Sequence, residues 1–196
     1  MPRNLPKRSS YLLLVVGLGN PGSEYSDTRH NVGFRVVDCV AERRGIRLRK
    51  PFLRSFEVGT DGDLTLAKPL TYMNHSGSII PSLLARSDAT VSDLFIICDN
   101  MDLPPGEVRV KRKGSSGSHN GVASVMAAVG SGEFARVYIG VGRPGDTGAV
   151  VDHVLSAPDG AERELIETAI GRAADAVERL AVDGIERVMN DVNSRP

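Results

Sequence analysis

The sequence predicts a single α/β domain, in which a mixed, largely parallel twisted sheet is flanked by helices. Three observations carry this reading. Short apolar runs of strand length alternate along the chain with segments whose apolar residues recur at helical spacing. Clusters of Gly, Pro, Asn and Asp punctuate the junctions. The 196 residues, 41% of them hydrophobic, suffice for one full core without disulfides.

Tyr11 to Gly17 reads as the first strand, because the run Leu12 to Val16 is too short for a helix and a Gly/Pro turn ends it. A helix follows over about Arg29 to Arg44, with Phe34, Val37, Val40 and Ala41 on one face. Strands near Phe56 and over Leu64 to Lys68 are joined by the turn Asp61-Gly62-Asp63. The next helix covers about Ser76 to Arg86. Pro81 falls inside it, so either the helix kinks or its first turn begins later than Ser76. Then come a buried strand Leu94 to Cys98, a basic strand Val108 to Lys113, a helix after Asn120 and a last strand Val137 to Val141. Arg143-Pro144-Gly145-Asp146 makes a surface loop, and two helices close the chain. The stripe Leu165, Ile166, Ala169, Ala173, Ala176, Val177 and Leu180 runs at 3.6 spacing up to Asp183-Gly184.

Residues 1–10 are polar and basic and read as a flexible tail before one catalytic domain, 11–196. No stretch suits a secretory signal or a membrane span, so a cytoplasmic protein without membrane contact is expected. Cys39 and Cys98 read as small buried hydrophobes of a reducing compartment. The 24 basic and 24 acidic residues cancel, yet Arg43, Arg44, Arg47, Arg49, Lys50 and Arg54 crowd one segment with no acid among them, and Lys111-Arg112-Lys113 forms a second cluster. Each is either polyanion-binding surface or, respectively, a solvated helix end and a charged edge strand.

Gly17, Gly19 and Gly22 spell the dinucleotide-binding G-x-G-x-x-G, with Asp38 near the position of a ribose-binding acid. Two details oppose that reading. Pro21 removes a backbone N–H from the turn, and Asp38 falls in a helical pattern rather than at a strand tip.

A different chemistry is spread over four loops. Asn20 and His30 follow the first strand; Thr71-Tyr72-Met73-Asn74, Asp99-Asn100-Met101-Asp102 and Ser118-His119-Asn120 follow or emerge from others. Loops after the strands of such a sheet converge on one crevice. Histidine is the residue type suited to exchange a proton at cellular pH, which makes His30 the candidate base; Asp99 is an acid to fix its tautomer, and Asn20, Asn74 and Asn120 are neutral amides that each present donors and an acceptor. No serine or cysteine sits in a nucleophile elbow, so water is the candidate nucleophile. The histidines and cysteines have no short ligand spacing, and no metal is expected.

In sequence order, the motifs Val16-Gly-Leu-Gly-Asn-Pro-Gly22, Thr28-Arg-His-Asn-Val-Gly33, Lys68-Pro-Leu-Thr-Tyr-Met-Asn74, Asp102-Leu-Pro104, Gly117-Ser-His-Asn-Gly121 and Gly140-Val-Gly-Arg-Pro-Gly145 resemble those of the bacterial-type peptidyl-tRNA hydrolases, from about Leu12 to Asn190. The resemblance implies cleavage of the ester between a peptide and the 3′ end of tRNA, recycling tRNA from abandoned translation products without a cofactor. It implies His30 as the base that activates water, Asp99 as its orienting acid and Asn20 as the amide recognising the acylated substrate. Asn74 and Asn120 hold peptide and water, and Tyr25 and Tyr72 line the substrate end. Peptidyl-tRNA is the implied partner, engaged by a monomer through phosphate contacts at Lys111 and Arg143, with the start of the helix after Asn120 offering N–H groups to one phosphate. Ala123, Tyr138 and Thr147 stand where some members place lysine or arginine; Lys111, Lys113, Arg136 and Arg143 remain, so the RNA footprint is smaller or shifted. The alternative is an RNA-binding splicing relative of the same fold that has lost hydrolysis.

Overall fold

The computed structural model describes residues 12–194. The expected tail, 1–10, and Tyr11 lie outside them. One six-stranded sheet holds β1 (Leu13–Gly17), β2 (Phe56–Asp61), β3 (Leu64–Pro69), β4 (Leu94–Asn100), β5 (Val108–Lys111) and β6 (Ala135–Gly140) in the order β2-β3-β1-β4-β6-β5. The four central strands are parallel, and the two outer strands, β2 and β5, run antiparallel to their neighbours. The carboxyl ends of β1, β3, β4 and β6 therefore meet at one edge, where the crevice of an open α/β sheet forms.

Helices cover both faces. Leu13 and Val15 of β1 point into a core shared with α1 (Val32–Arg44), α5 (Gly160–Asp183) and α6 (Ile185–Asn193). Leu14 and Val16 point into a second core beneath α2 (Ile80–Ser87) and α3 (Asn120–Val129). Burial on both sides explains why β1 reads as an unbroken apolar run rather than an alternating one.

The sequence places the elements correctly and several boundaries wrongly. Pro81 sits in the first turn of α2, where a missing N–H costs nothing; a 3₁₀ stretch, Met73–Ile79, precedes it, so the later start is the right alternative. The expected helix from Arg29 begins at Val32, after a 3₁₀ turn over Arg29–Asn31. β4 runs on to Asn100, making Asp99 part of the strand, and β5 stops at Lys111. A short α4 (Val150–Val154) precedes the two closing helices. The α5 stripe residues from Ile166 to Leu180 are buried, but Leu165 is 51% exposed, being rotated about 100° round the helix from its neighbour Ile166.

Close backbone approach sets the position of α1. A Cβ on Gly17 would stand 2.1 Å from Gly33 O, and one on Gly33 would stand 2.4 Å from Ile97 O and 2.5 Å from Leu18 O. These glycines thus serve helix–strand packing, and Asp38, on α1, is paired with Lys68 at 2.6 Å, so nothing here resembles a dinucleotide site. Gly33→Ala is expected to overpack this contact and destabilise the protein by about 1–3 kcal/mol. For a chain of this size that lowers Tm by about 2–4 °C per kcal/mol. Thermal unfolding followed by circular dichroism checks this, and an unchanged Tm would show that α1 yields freely.

Candidate active site

Asp99 stands at the end of β4 with 3% of its surface exposed. Its Oδ1 lies 2.7 Å from His30 Nδ1 and 3.0 Å from His119 Nε2. Burial works against its charge, but the two imidazoles and the hydrogen bonds they make outweigh it and hold the carboxyl well below its usual range. An ionised carboxylate only accepts, so both ring nitrogens must donate. His119 Nδ1, in turn, accepts from Gly121 N–H at 3.1 Å and Val122 N–H at 3.3 Å, capping α3. His119 is thereby fixed as the Nε2–H tautomer. His30 is the opposite tautomer, with Nδ1–H on Asp99 and the Nε2 lone pair without a partner among the described residues.

His119 lies within the motif Gly117-Ser-His-Asn-Gly121, and the sequence alone assigns it no role. Its signal was the histidine directly before a helix start, but only the contact between α3 and β4 turns that cap into a second donor for Asp99. The same cap corrects another expectation. Gly121 and Val122 N–H groups are already bonded, so the α3 N-terminus does not present them to a phosphate.

By residue type His30, Asp99 and His119 also form a possible metal cluster. The geometry argues against one. Ligands of a tetrahedral ion with bonds of about 2.0–2.1 Å stand more than 3 Å apart, whereas His30 and Asp99 are at 2.7 Å with a proton between them.

Two recesses meet at His30 and Asn120. The first, about 340 Å³, is lined by Asn20, Tyr25, Tyr72, Met73 and Asn74. The second, about 110 Å³, is lined by Met101, the 116–119 loop, Tyr138 and Arg143. Val151 and Val154 of α4 wall both. Arg29 holds that wall in place: its guanidinium donates to His153 O and to Ser156 O and Oγ, and it pairs with Glu162 at 2.6 Å. A larger recess of about 670 Å³ lies at the amino ends of β1, β4 and β6; its Asp183 and Glu186 are already paired with arginines.

Asn20 is buried and oriented on three sides. Its backbone N–H donates to Asn31 Oδ1 at 2.9 Å, its carbonyl accepts from Asn31 Nδ2 at 2.9 Å, and its Oδ1 accepts from Met73 N–H at 2.8 Å. The Met73 bond decides which way the amide faces: of the donor and acceptor that an asparagine offers, Oδ1 is engaged and Nδ2 is the donor left unbonded among the described residues. Asn74 and Asn120 are exposed, and their side chains have no hydrogen-bond partner among the described residues. They are brought together because Gly77 packs directly on α3; a Cβ there would stand 2.0 Å from Ser124 O. Tyr25 is half-buried, while Tyr72 is 61% exposed.

The basic residues are placed less as expected. Lys111 is exposed and without an ion-pair partner among the described residues, but it lies opposite Arg136 near the amino end of β6, so it does not line the groove. Arg143 does, and it is paired with Asp102 at 2.6 Å. Lys113 is paired with Glu133 and Arg112 with Glu186. Arg136 is no RNA contact at all. It is fully buried beside the Phe134 ring, donating to the carbonyls of Gly114, Gly132 and Phe134, so it ties down the base of the 114–118 loop. Tyr138 in the smaller recess has its phenol pushed up to about 12 by burial, and so presents a neutral surface.

The model of the peptidyl-tRNA hydrolase family matches residues 14–196. The chain belongs to the peptidyl-tRNA hydrolase family. Peptidyl-tRNA hydrolases of Geobacillus kaustophilus and of a Dehalococcoides mccartyi strain are each 44% identical to it, over 92% of this chain and 98% of theirs. The crystal structure of the Acinetobacter baumannii peptidyl-tRNA hydrolase superposes with a TM-score of 0.87 at 35% identity, covering 93% of this chain and 95% of that one. Family membership agrees with the resemblance read from the six motifs, and the fold matches the expected α/β architecture.

The depressed Asp99 pKa makes a signed prediction. Its stabilisation is complete above the unfolded value near pH 4 and is lost as pH falls through the lower folded value. Asp99→Asn is expected to cost about 1–3 kcal/mol near neutrality, with the gap to wild type narrowing below about pH 4. Urea titrations across pH measure this; a gap that widened on acidification would contradict an ionised Asp99.

Proposed function

We propose that this chain hydrolyses the ester between a peptide and the 3′ end of tRNA, using water and no cofactor, as a cytoplasmic monomer. The observation that carries the reading is a histidine with one nitrogen fixed on a buried carboxylate and the other facing a groove rimmed by three amides without groove-side partners. The names of the relatives supply the substrate class, and the site supplies the chemistry.

His30 Nε2 takes a proton from water as the water oxygen attacks the ester carbonyl, and Asp99 stabilises the imidazolium that forms. Asn20 Nδ2, Asn74 and Asn120 are the donors for the peptide carbonyl and the developing oxyanion. The proton then passes from His30 to the departing 3′ oxygen. Tyr25 and Tyr72 offer ring surface to the substrate end, while Arg143 at the groove and Lys111 on the outer strand meet phosphates.

The 340 Å³ recess beside His30 also supports a preference for blocked substrates. None of its lining residues is a carboxylate. A free α-ammonium would lose its hydration there without a paired anion, whereas a neutral α-amide loses far less.

His30→Ala is expected to lower kcat by about 10²–10⁴-fold, measured as tRNA released from N-blocked aminoacyl-tRNA, with the fold retained but Tm lowered because Asp99 loses one of its two donors; near-normal turnover would remove His30 as the base. Asn20→Asp keeps the acceptor for Met73 N–H and replaces the groove-side donor with an anion. Preference for blocked over unblocked aminoacyl-tRNA, as a ratio of kcat/KM, should then fall even if both rates drop. An unchanged ratio would move discrimination to Asn74, Asn120 or the shape of the recess.

A further inference from the structure

Between α1 and β2, Arg47, Arg49, Lys50 and Arg54 are all exposed, and none has an ion-pair partner among the described residues. They differ in this from Arg43 and Arg44, which are taken by Asp175 and Asp61. At the tip of the same loop Phe52 and Leu53 are 89% and 86% exposed. They form a turn closed by Arg54 N–H on Pro51 O at 3.1 Å. Leu53 has φ of 58°, a left-handed conformation that a side chain of this kind adopts only at a cost. Folding gains nothing from an apolar pair held in water on a strained turn, so the tip is shaped for something outside the chain.

The loop also stands in a telling place. Ser55 O accepts Leu70 N–H at 2.7 Å, and Phe56 pairs with Pro69. The tip is therefore at the carboxyl edge of the sheet, beside the segment that carries Tyr72 and Asn74. β2 and β5 are the two outer strands, about 24 Å apart at the usual strand spacing. Unpaired cations thus flank the groove on the side away from Lys111.

We propose that Arg47, Arg49, Lys50 and Arg54, together with Phe52, form a second RNA contact, in which phosphates meet the cations and an unpaired base stacks on the Phe52 ring. Four unpaired cations with no acid from Gly45 to Phe56 select a polyanion. An exposed aromatic ring among them is the combination that holds single-stranded RNA. An apolar, basic loop also suits an anionic lipid surface; RNA is favoured because the loop adjoins the groove that takes the 3′ end of a tRNA, and in this the inference rests on the hydrolase reading.

The test uses the full chain with all four cations replaced (R47Q, R49Q, K50Q and R54Q) and fluorescence anisotropy of labelled, deacylated tRNA over a salt series. Affinity at low salt should fall at least tenfold, and the slope of log affinity against log salt should become shallower by about 2–3. Cleavage of an N-blocked aminoacyl ester on the trinucleotide CCA, too short to reach the loop, should be unchanged. The chain contains no tryptophan, so Phe52→Trp gives a single reporter whose emission should be quenched by tRNA. An unchanged affinity and slope, or tryptophan emission unaffected at saturating tRNA, overturns the proposal. So does a quadruple variant that binds tRNA normally but loses retention on phosphatidylserine vesicles, which would assign the loop to lipid. Failure of the hydrolase reading shows separately, as wild-type protein that leaves the trinucleotide ester intact, while the anisotropy and quenching still decide the RNA contact.

Discussion

Asp99 lies at the end of a central strand, nearly out of reach of water, and remains charged because two imidazoles donate to the same oxygen. A buried carboxylate is tolerated only when its charge is compensated in this way. The compensation has a direction. His119 is committed on its far side to the N–H groups of α3, so it is locked as a donor to Asp99 and has no lone pair left for chemistry. His30 has no such commitment. One carboxylate thus sorts two histidines 4.9 Å apart into a structural cap and a candidate base.

The rest of the fold serves to bring these groups to one place. β4 delivers Asp99, the turn after β1 delivers Asn20, the 3₁₀ turn before α1 delivers His30, and the start of α3 delivers His119 and Asn120. Glycines at Gly17, Gly33 and Gly77 let those pieces approach at distances no larger residue permits. Asn31 bonds to the Asn20 backbone in both directions, so the two loops that carry Asn20 and His30 move as one unit. Arg29, next to His30, ties α4 to the same turn. A site built on rigid strand ends and cross-bonded loops is already organised before substrate arrives.

Much of this was legible in the sequence. The order of strands and helices followed from period and punctuation, and Asn20, His30, Asp99, Asn74 and Asn120 stood out as loop residues with the right chemistry. What escaped was set by contacts distant in sequence. Nothing near His119 reveals that Asp99, 20 residues back, lies 3.0 Å away. Arg136, just before the expected strand Val137 to Val141, reads as surface charge left for RNA, and its burial depends on three carbonyls that the loop over 114–118 and the turn over 132–134 bring around it. The Arg43 to Arg54 cluster looked uniform, yet partners on α5 and β2 silence its first two members and leave the others free.

The most direct test of this account is the tautomeric state of the two histidines, read from ¹⁵N–¹H correlation spectra of selectively labelled protein at neutral to mildly alkaline pH. The arrangement around Asp99 predicts opposite neutral tautomers, His30 with its proton on Nδ1 and His119 with its proton on Nε2. Finding His119 protonated at Nδ1, or His30 at Nε2, would contradict it.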